Sequence, residues 1–262
     1  MRVACYYEPA SRRSLLVAEA MAQGVAAAGD RASLIPGLKD QPVTHDAAVA
    51  SGWGCPRLFE AYRQAGKHFV YADLGWWDRK SPGSAYGGFH KVVVDAREPN
   101  GYFRRNLPAS RFERFDVAIQ PWRRSGSHIL LAGMSEKSAG TRGYGPQEWE
   151  RATIEAIRTI TVRPIVYRPK PSWLGATPIP GAWYSGPEET IERALRDCWL
   201  VATLHSNVAV DALLAGIPVN AREGVATDFS TPLAKIESPL YPDGREGLMA
   251  DIAWIQWSLA EM

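Results

Sequence analysis

Short apolar runs recur along this chain with one amphipathic stretch between successive runs, and that alternation constrains the fold more than any other feature. A run of about five apolar residues suits a strand buried on both faces, and an amphipathic stretch of roughly ten to fifteen suits a covering helix. Repetition of the pair specifies an α/β protein with parallel sheets. In the first half, residues 3–7 read as a strand. Residues 11–28 read as a helix with Leu15, Leu16, Ala20 and Val25 inward, stopped at Gly29. Strands are expected near residues 33–35 and 47–50, a helix at 57–65 closed by Gly66, and strands at 68–72 and 91–94. The intervening residues 74–88 are rich in glycine and aromatics, a loop too long to be idle.

The same alternation resumes after residues 121–127, whose Pro, Arg, Ser and Gly content marks a boundary between 1–122 and 123–262. Strands are expected at 128–132, 165–167, 199–204 and 217–220, and helices at 147–159, 188–197 and 207–215. Residues 246–261, with Trp254 and Trp257, read as a tail helix able to pack across both halves. The expected architecture is two Rossmann-like halves facing a cleft, with ligand at the carboxyl ends of parallel strands.

Several functions lose ground on composition. No apolar run nears the roughly 20 residues that span a bilayer, and the N-terminus lacks a signal-peptide pattern, so no membrane partner and a cytoplasmic setting are expected. Cys5, Cys55 and Cys198 are widely spaced and odd in number, which points to buried thiols rather than a disulfide or zinc framework. The net charge of +2 is small for a nucleic-acid binder. One local stretch runs the other way: Arg104, Arg105, Arg111, Arg114, Arg123 and Arg124 interleave with Tyr102, Phe103, Phe112, Phe115 and Trp122. That mixture suits stacking and phosphate contact, and it equally suits an ordinary packing interface.

The sharpest local feature is residues 201–219, VATLHSNVAVDALLAGIPV, where an apolar strand runs through His205 into Ser206, Asn207 and a helix of small residues. Ser206 or Asn207 suits the helix cap, and a helix start favours a phosphate just outside it. Asp211, one turn on, can accept hydrogen bonds from a ribose or sugar diol. A plainly capped α/β turn with a solvated Asp211 is the competing reading. A second feature, RPIVYRPKP at 163–171, delivers Arg168 and Lys170 to a strand's carboxyl end between prolines, a fork and a point charge that suit a diphosphate. Residues 134–138, Met-Ser-Glu-Lys-Ser, supply another polar loop on the same presumed edge. In the first half Asp73, Asp78 and His90 are candidate general bases, and Trp76 and Trp77 offer flat faces to a sugar or base.

GxGxxG after the first strand, GxxxxGK[ST], HExxH and GxSxG are all missing, as is an Asp-x-Asp pair to clamp magnesium on a diphosphate. No metal or cofactor is therefore expected, and a leaving diphosphate would rely on cations from the protein.

Arg168-Pro169-Lys170-Pro171, then His205, Ser206, Asn207, Asp211, Gly216, Ile217 and Pro218, resemble the nucleotide-sugar-binding domain of GT-B glycosyltransferases, including capsule-type transferases with a basic-Pro motif and a Ser-rich turn. Asp211 stands where many of those enzymes have Glu, and Lys170 where they have His. The GWWDR, YRPKPSW and HSNVAVDALLAG segments are also similar to small bacteriophage and prophage proteins. The resemblance implies a metal-independent transferase using a nucleoside diphosphate sugar, expected to be a UDP-sugar. Arg168, Lys170, His205, Ser206, Asn207 and Asp211 would hold the donor, and Asp73, Asp78 or His90 would act on the acceptor. Phage enzymes of this type modify hydroxymethylated DNA bases, which makes DNA a candidate acceptor. A non-catalytic nucleotide or partner binder of the same shape, or an epimerase or phosphorylase, are the rival readings.

Overall fold

A computed structural model describes residues 1–52, 55–82, 84–101, 105–186 and 188–262. The chain packs as two compact units, Met1–Pro99 with Ile252–Met262, and Asn100–Asp251. The division therefore differs from the expected 1–122 and 123–262. Residues 120–127 belong to the second unit through backbone bonds from Gln120 N to Leu214 O and from Arg123 N to Gly216 O, each 2.7 Å.

In the first unit, β1 (Arg2–Tyr7), α1 (Arg12–Ala27), β2 (Arg31–Pro36), β3 (Ala47–Ala50), α2 (Cys55–Gln64), β4 (His68–Leu74) and β5 (Phe89–Val94) follow in order. The chain's last strand, β11 (Gln256–Ser258), completes a sheet of order β11-β5-β4-β3-β1-β2. β2, β1, β3 and β4 are mutually parallel, whereas β5 is antiparallel to β4 and to β11. Two-residue alternation sends Val3, Cys5, Ala47 and Val49 to one face against Ala18, Met21, Ala22 and Val25 of α1. Ala4, Tyr6, Ala48 and Ala50 face Leu58, Phe59 and Tyr62 of α2. Of the four α1 residues expected inward, only Val25 packs on that sheet face. The most buried side chains of the helix are Ser14, Val17 and Ala18, and Ser14 Oγ is drawn in by accepting Glu8 N at 2.9 Å.

The expected tail helix is also corrected. α8 (Arg245–Ala253) ends early, and the following residues form β11 because β5 offers an open edge to pair with. Gln256 Oε1 then accepts Trp77 N at 3.1 Å, tying that strand to the loop after β4.

The second unit begins with α3 (Ser110–Glu113) and continues with β6 (His128–Ala132), α4 (Glu136–Thr141), α5 (Glu148–Arg158), β7 (Ile165–Arg168), β8 (Trp183–Tyr184), α6 (Ile191–Ala194), β9 (Cys198–Thr203), α7 (Val208–Leu214) and β10 (Val219–Ala221). Its sheet is parallel throughout, in the order β10-β9-β6-β7-β8. Ile129, Leu131, Ile165, Tyr167, Leu200 and Ala202 pack with Trp149, Ile154 and Ile157 of α5, and each fully buried aliphatic side chain contributes about 1.5–3 kcal/mol. The helix expected at 188–197 is reduced to α6, whose start Thr190 caps by accepting Arg193 N at 3.3 Å.

Candidate functional site

The parallel sheet of the second unit reverses its winding between β6 and β9, because β7 and β8 lie on one side of β6 and β9 and β10 on the other. Loops leaving neighbouring strands there run in opposite directions and open a crevice at the carboxyl edge. Register sharpens the geometry. Ala132, the last residue of β6, pairs with Arg168 at the end of β7 and with Thr203 at the end of β9, and Thr203 pairs with Ala221 at the end of β10. Four strands thus end on one rung, spaced about 4.8 Å apart, and release their loops side by side.

Across the reversal, Ser138 Oγ lies 2.7 Å from His205 Nε2. Arg142 Nη1 donates to the same Oγ at 2.9 Å, and Arg142 Nη2 pairs with Glu223 Oε2 at 2.7 Å. Thr203 Oγ1 donates to Ala132 O at 3.0 Å and accepts Ser206 N at 3.1 Å, fixing the turn that presents His205. Sequence reasoning missed Arg142 and Glu223 and gave Ser138 only a place in a polar loop. Their one signal was position after strands β6 and β10.

Arg168 is half-buried, with Nη2 donating to Glu189 O at 3.0 Å and a buried Nε that has no partner among the described residues. Lys170 is exposed, and Ser206, Asn207 and Asp211 are half-buried. The expectation of open amides at the start of α7 is corrected. Val208 N bonds Ser206 Oγ at 3.3 Å, Ala209 N bonds Ser206 O at 3.0 Å and Val210 N bonds Asn207 O at 2.9 Å. Asn207 makes no side-chain cap bond and has helical backbone angles. A tight first turn engages the amides of residues 208–210.

Behind the β6 turn lies Glu150, fully buried, with Oε1 accepting Met134 N at 2.7 Å and Oε2 without a partner among the described residues. Burial raises its pKa above the ordinary glutamate value, the Met134 amide opposing that shift only in part. A carboxyl raised on folding stabilises fully below its unfolded pKa, and that stability is lost as pH rises through the folded value. Glu150→Gln should therefore be more stable than wild type at pH 8. In chemical denaturation the advantage should shrink toward zero as the pH falls to about 4.5, the ordinary glutamate value.

In the first unit, Asp73 is the next-to-last residue of β4, and its Oδ1 accepts Arg13 Nη1 at 2.7 Å and Leu74 N at 2.8 Å. Arg13 went unnoticed in the sequence because it lies in the first turn of α1. Asp78 is exposed and sits in a left-handed backbone conformation, φ 46°. His90 is buried, not exposed as its glycine-rich context suggested. Nδ1 contacts Gly88 O at 3.1 Å, Nε2 has no partner among the described residues, and burial lowers its pKa. Trp76 and Trp77 are also buried, which withdraws their faces from a sugar. The three cysteines are free and buried, the Cys55 thiol being pushed up to about 12 by burial.

Of the arginine and aromatic stretch, Tyr102, Phe103 and Arg104 lie outside the described residues. Much of the rest serves packing within the second unit. Arg111 and Phe115 are buried, Arg123 Nη1 donates to Leu195 O at 2.8 Å, and Arg124 lies 4.5 Å from the Tyr241 ring centroid. Arg105, Arg114 and Arg124 keep exposure. Among the described residues no group of three or more His, Cys, Asp or Glu is arranged to hold a metal ion, and no helix is long and apolar enough to cross a membrane.

No protein-family model matches the chain, and no curated protein matches it in sequence. Solved structures do match in shape. KpsC of Thermosulfurimonas dismutans, described as a beta Kdo 2,4 transferase, is 12% identical with a TM-score of 0.55, over 96% of this chain and 89% of that one. A second KpsC structure from the same organism, a beta Kdo 2,7 transferase, is 13% identical with a TM-score of 0.55, over 94% and 88%. At such low identity the likeness speaks for the fold, which is α/β with two largely parallel sheets and GT-B-like.

Proposed function

We propose that this protein is a metal-independent glycosyltransferase that takes sugar from a nucleoside diphosphate sugar, with a UDP-sugar as the expected donor. The observation that carries the reading is the second unit's level rung at the β6–β9 reversal, crossed by the Ser138–His205 hydrogen bond. The donor diphosphate would lie over that rung, neutralised by Arg168 and Lys170, with His205 donating a hydrogen bond, Ser206 and Asn207 beside it and Asp211 on a donor hydroxyl. In the reaction the acceptor oxygen bonds to the anomeric carbon as the bond to the diphosphate breaks, and the electron pair leaves on the diphosphate. Cations fixed where that charge grows stabilise the transition state without a metal.

The acceptor proton passes to a carboxylate or imidazole, for which Asp73, Asp78 and His90 remain the candidates. Asp73 is held in an ion pair with Arg13 Nη1 at 2.7 Å. Hydroxymethylated DNA is the acceptor to test first, with Arg105, Arg114 and Arg124 as the exposed phosphate contacts. The setting for this activity would be the cytoplasm, that of the host if the protein is phage-encoded.

A nucleotide binder that keeps the GT-B shape without catalysis is a second reading, favoured by the burial of His90 and the ion pairing of Asp73. Calorimetry with UDP tests the shared binding claim. Loss of one charge-assisted contact should weaken binding about 10- to 100-fold in His205→Ala and Arg168→Ala. Equal affinity in wild type and both variants would contradict the site. Mass spectrometry after incubation with UDP-glucose and hydroxymethylated DNA separates the readings, since a transferase leaves a hexose adduct and a binder leaves none.

A further inference from the structure

The polar chain behind His205 has a direction. Ser138 is 2% exposed, so its hydroxyl must satisfy its hydrogen bonds inside the protein. One partner is Arg142 Nη1 at 2.9 Å, and a guanidinium only donates. Ser138 Oγ accepts from it and still carries its own proton. Among the described residues the other partner of Oγ is His205 Nε2 at 2.7 Å. The hydroxyl proton is satisfied only if that nitrogen accepts. A neutral ring accepting at Nε2 carries its proton on Nδ1.

Arg142 is itself held by Glu223 Oε2 at 2.7 Å, and Glu223 N donates to Leu204 O at 2.7 Å, next to His205. The path therefore leaves the β9 turn through the His205 side chain and returns to it through the backbone.

We propose that Ser138, oriented by the Arg142–Glu223 pair, is a positioning residue that holds His205 as the Nδ1–H tautomer. The ring then offers an N–H donor to an anionic oxygen at the β6–β9 reversal. The ligand in this statement rests on the function proposed above, whereas the tautomer does not.

Nitrogen-15 spectra of the histidine rings, recorded well above the ordinary histidine pKa of about 6.5, read the tautomer directly. The chain has 5 histidines, and the His205 signals are those absent from His205→Asn. Wild type should show Nδ1 protonated and Nε2 as the unprotonated, hydrogen-bonded nitrogen. Ser138→Ala should shift the population toward Nε2–H and weaken UDP binding about tenfold, the effect of one lost orienting hydrogen bond. Glu223→Gln keeps an acceptor for Arg142 and should keep the wild-type tautomer. An Nε2–H ring in wild type overturns the proposal even if Ser138→Ala does not fold, as does a folded Ser138→Ala with an unchanged ring. If wild type shows Nδ1–H yet does not bind UDP, the positioning role of Ser138 stands and the nucleotide reading fails.

Discussion

Gly216→Ala should destabilise the second unit by about 3 kcal/mol or more, lowering its melting temperature by roughly 6–12 °C. Gly216 follows α7 with φ +73°. Ile217 N bonds Ala212 O at 2.8 Å and Gly216 N bonds Leu213 O at 3.2 Å, which is a Schellman ending. A Cβ there would stand 2.0 Å from Pro121 O. Backbone cannot yield as a flexible side chain can, and the contacting segment is itself fixed by Gln120 N to Leu214 O.

Gly29→Ala is the matched control. That glycine ends α1 with φ +84°, in the same pattern of bonds from Asp30 N to Val25 O and from Gly29 N to Ala26 O, but nothing lies within 4 Å of its Cβ position. It should lose only the left-handed penalty, about 1–2 kcal/mol. Equal losses at the two positions in thermal melts would show that the 120–123 segment does not press on the end of α7.

Thr203→Val should cost about 2–4 kcal/mol in chemical denaturation and should weaken UDP binding in the same protein. The two side chains have nearly the same shape, so the change removes hydrogen bonding without opening a cavity. Ala132 O loses the hydroxyl donor and Ser206 N loses its acceptor, in a place where Thr203 is 1% exposed. The turn carrying His205 is then no longer pinned to the end of β6. Thr203→Ser retains the hydroxyl and should keep most of the binding. Identical stability and affinity in Val and Ser variants would remove Thr203 from the support of the site.

The layered fold was legible because parallel strands buried on both faces are locally apolar. Residues 47–50 and 128–132 were bounded correctly from composition alone and became β3 and β6. What failed depended on distant partners. β11 looks helical in isolation and becomes a strand because β5 presents an edge to it. The inward face of α1 was misplaced because local periodicity fixes the existence of a stripe better than its rotation, and a buried Ser14 is invisible to an apolar pattern.

The site was half legible for the same reason. Arg168 and His205 follow apolar strands directly, so their place at the carboxyl edge could be read. Arg142 meets Glu223 across 81 positions and Ser138 meets His205 across 67, and only the sheet order brings them together. The buried state of His90 could not be read either, since a glycine-rich neighbourhood resembles an exposed loop.

A crystal structure of the protein grown with UDP addresses the central claim directly. Diphosphate density is expected over the rung formed by Ala132, Arg168 and Thr203, within hydrogen-bonding distance of the His205 ring and the Arg168 guanidinium. Density for the nucleotide at the carboxyl edge of the first unit, with the β6–β9 crevice holding only water, would contradict it.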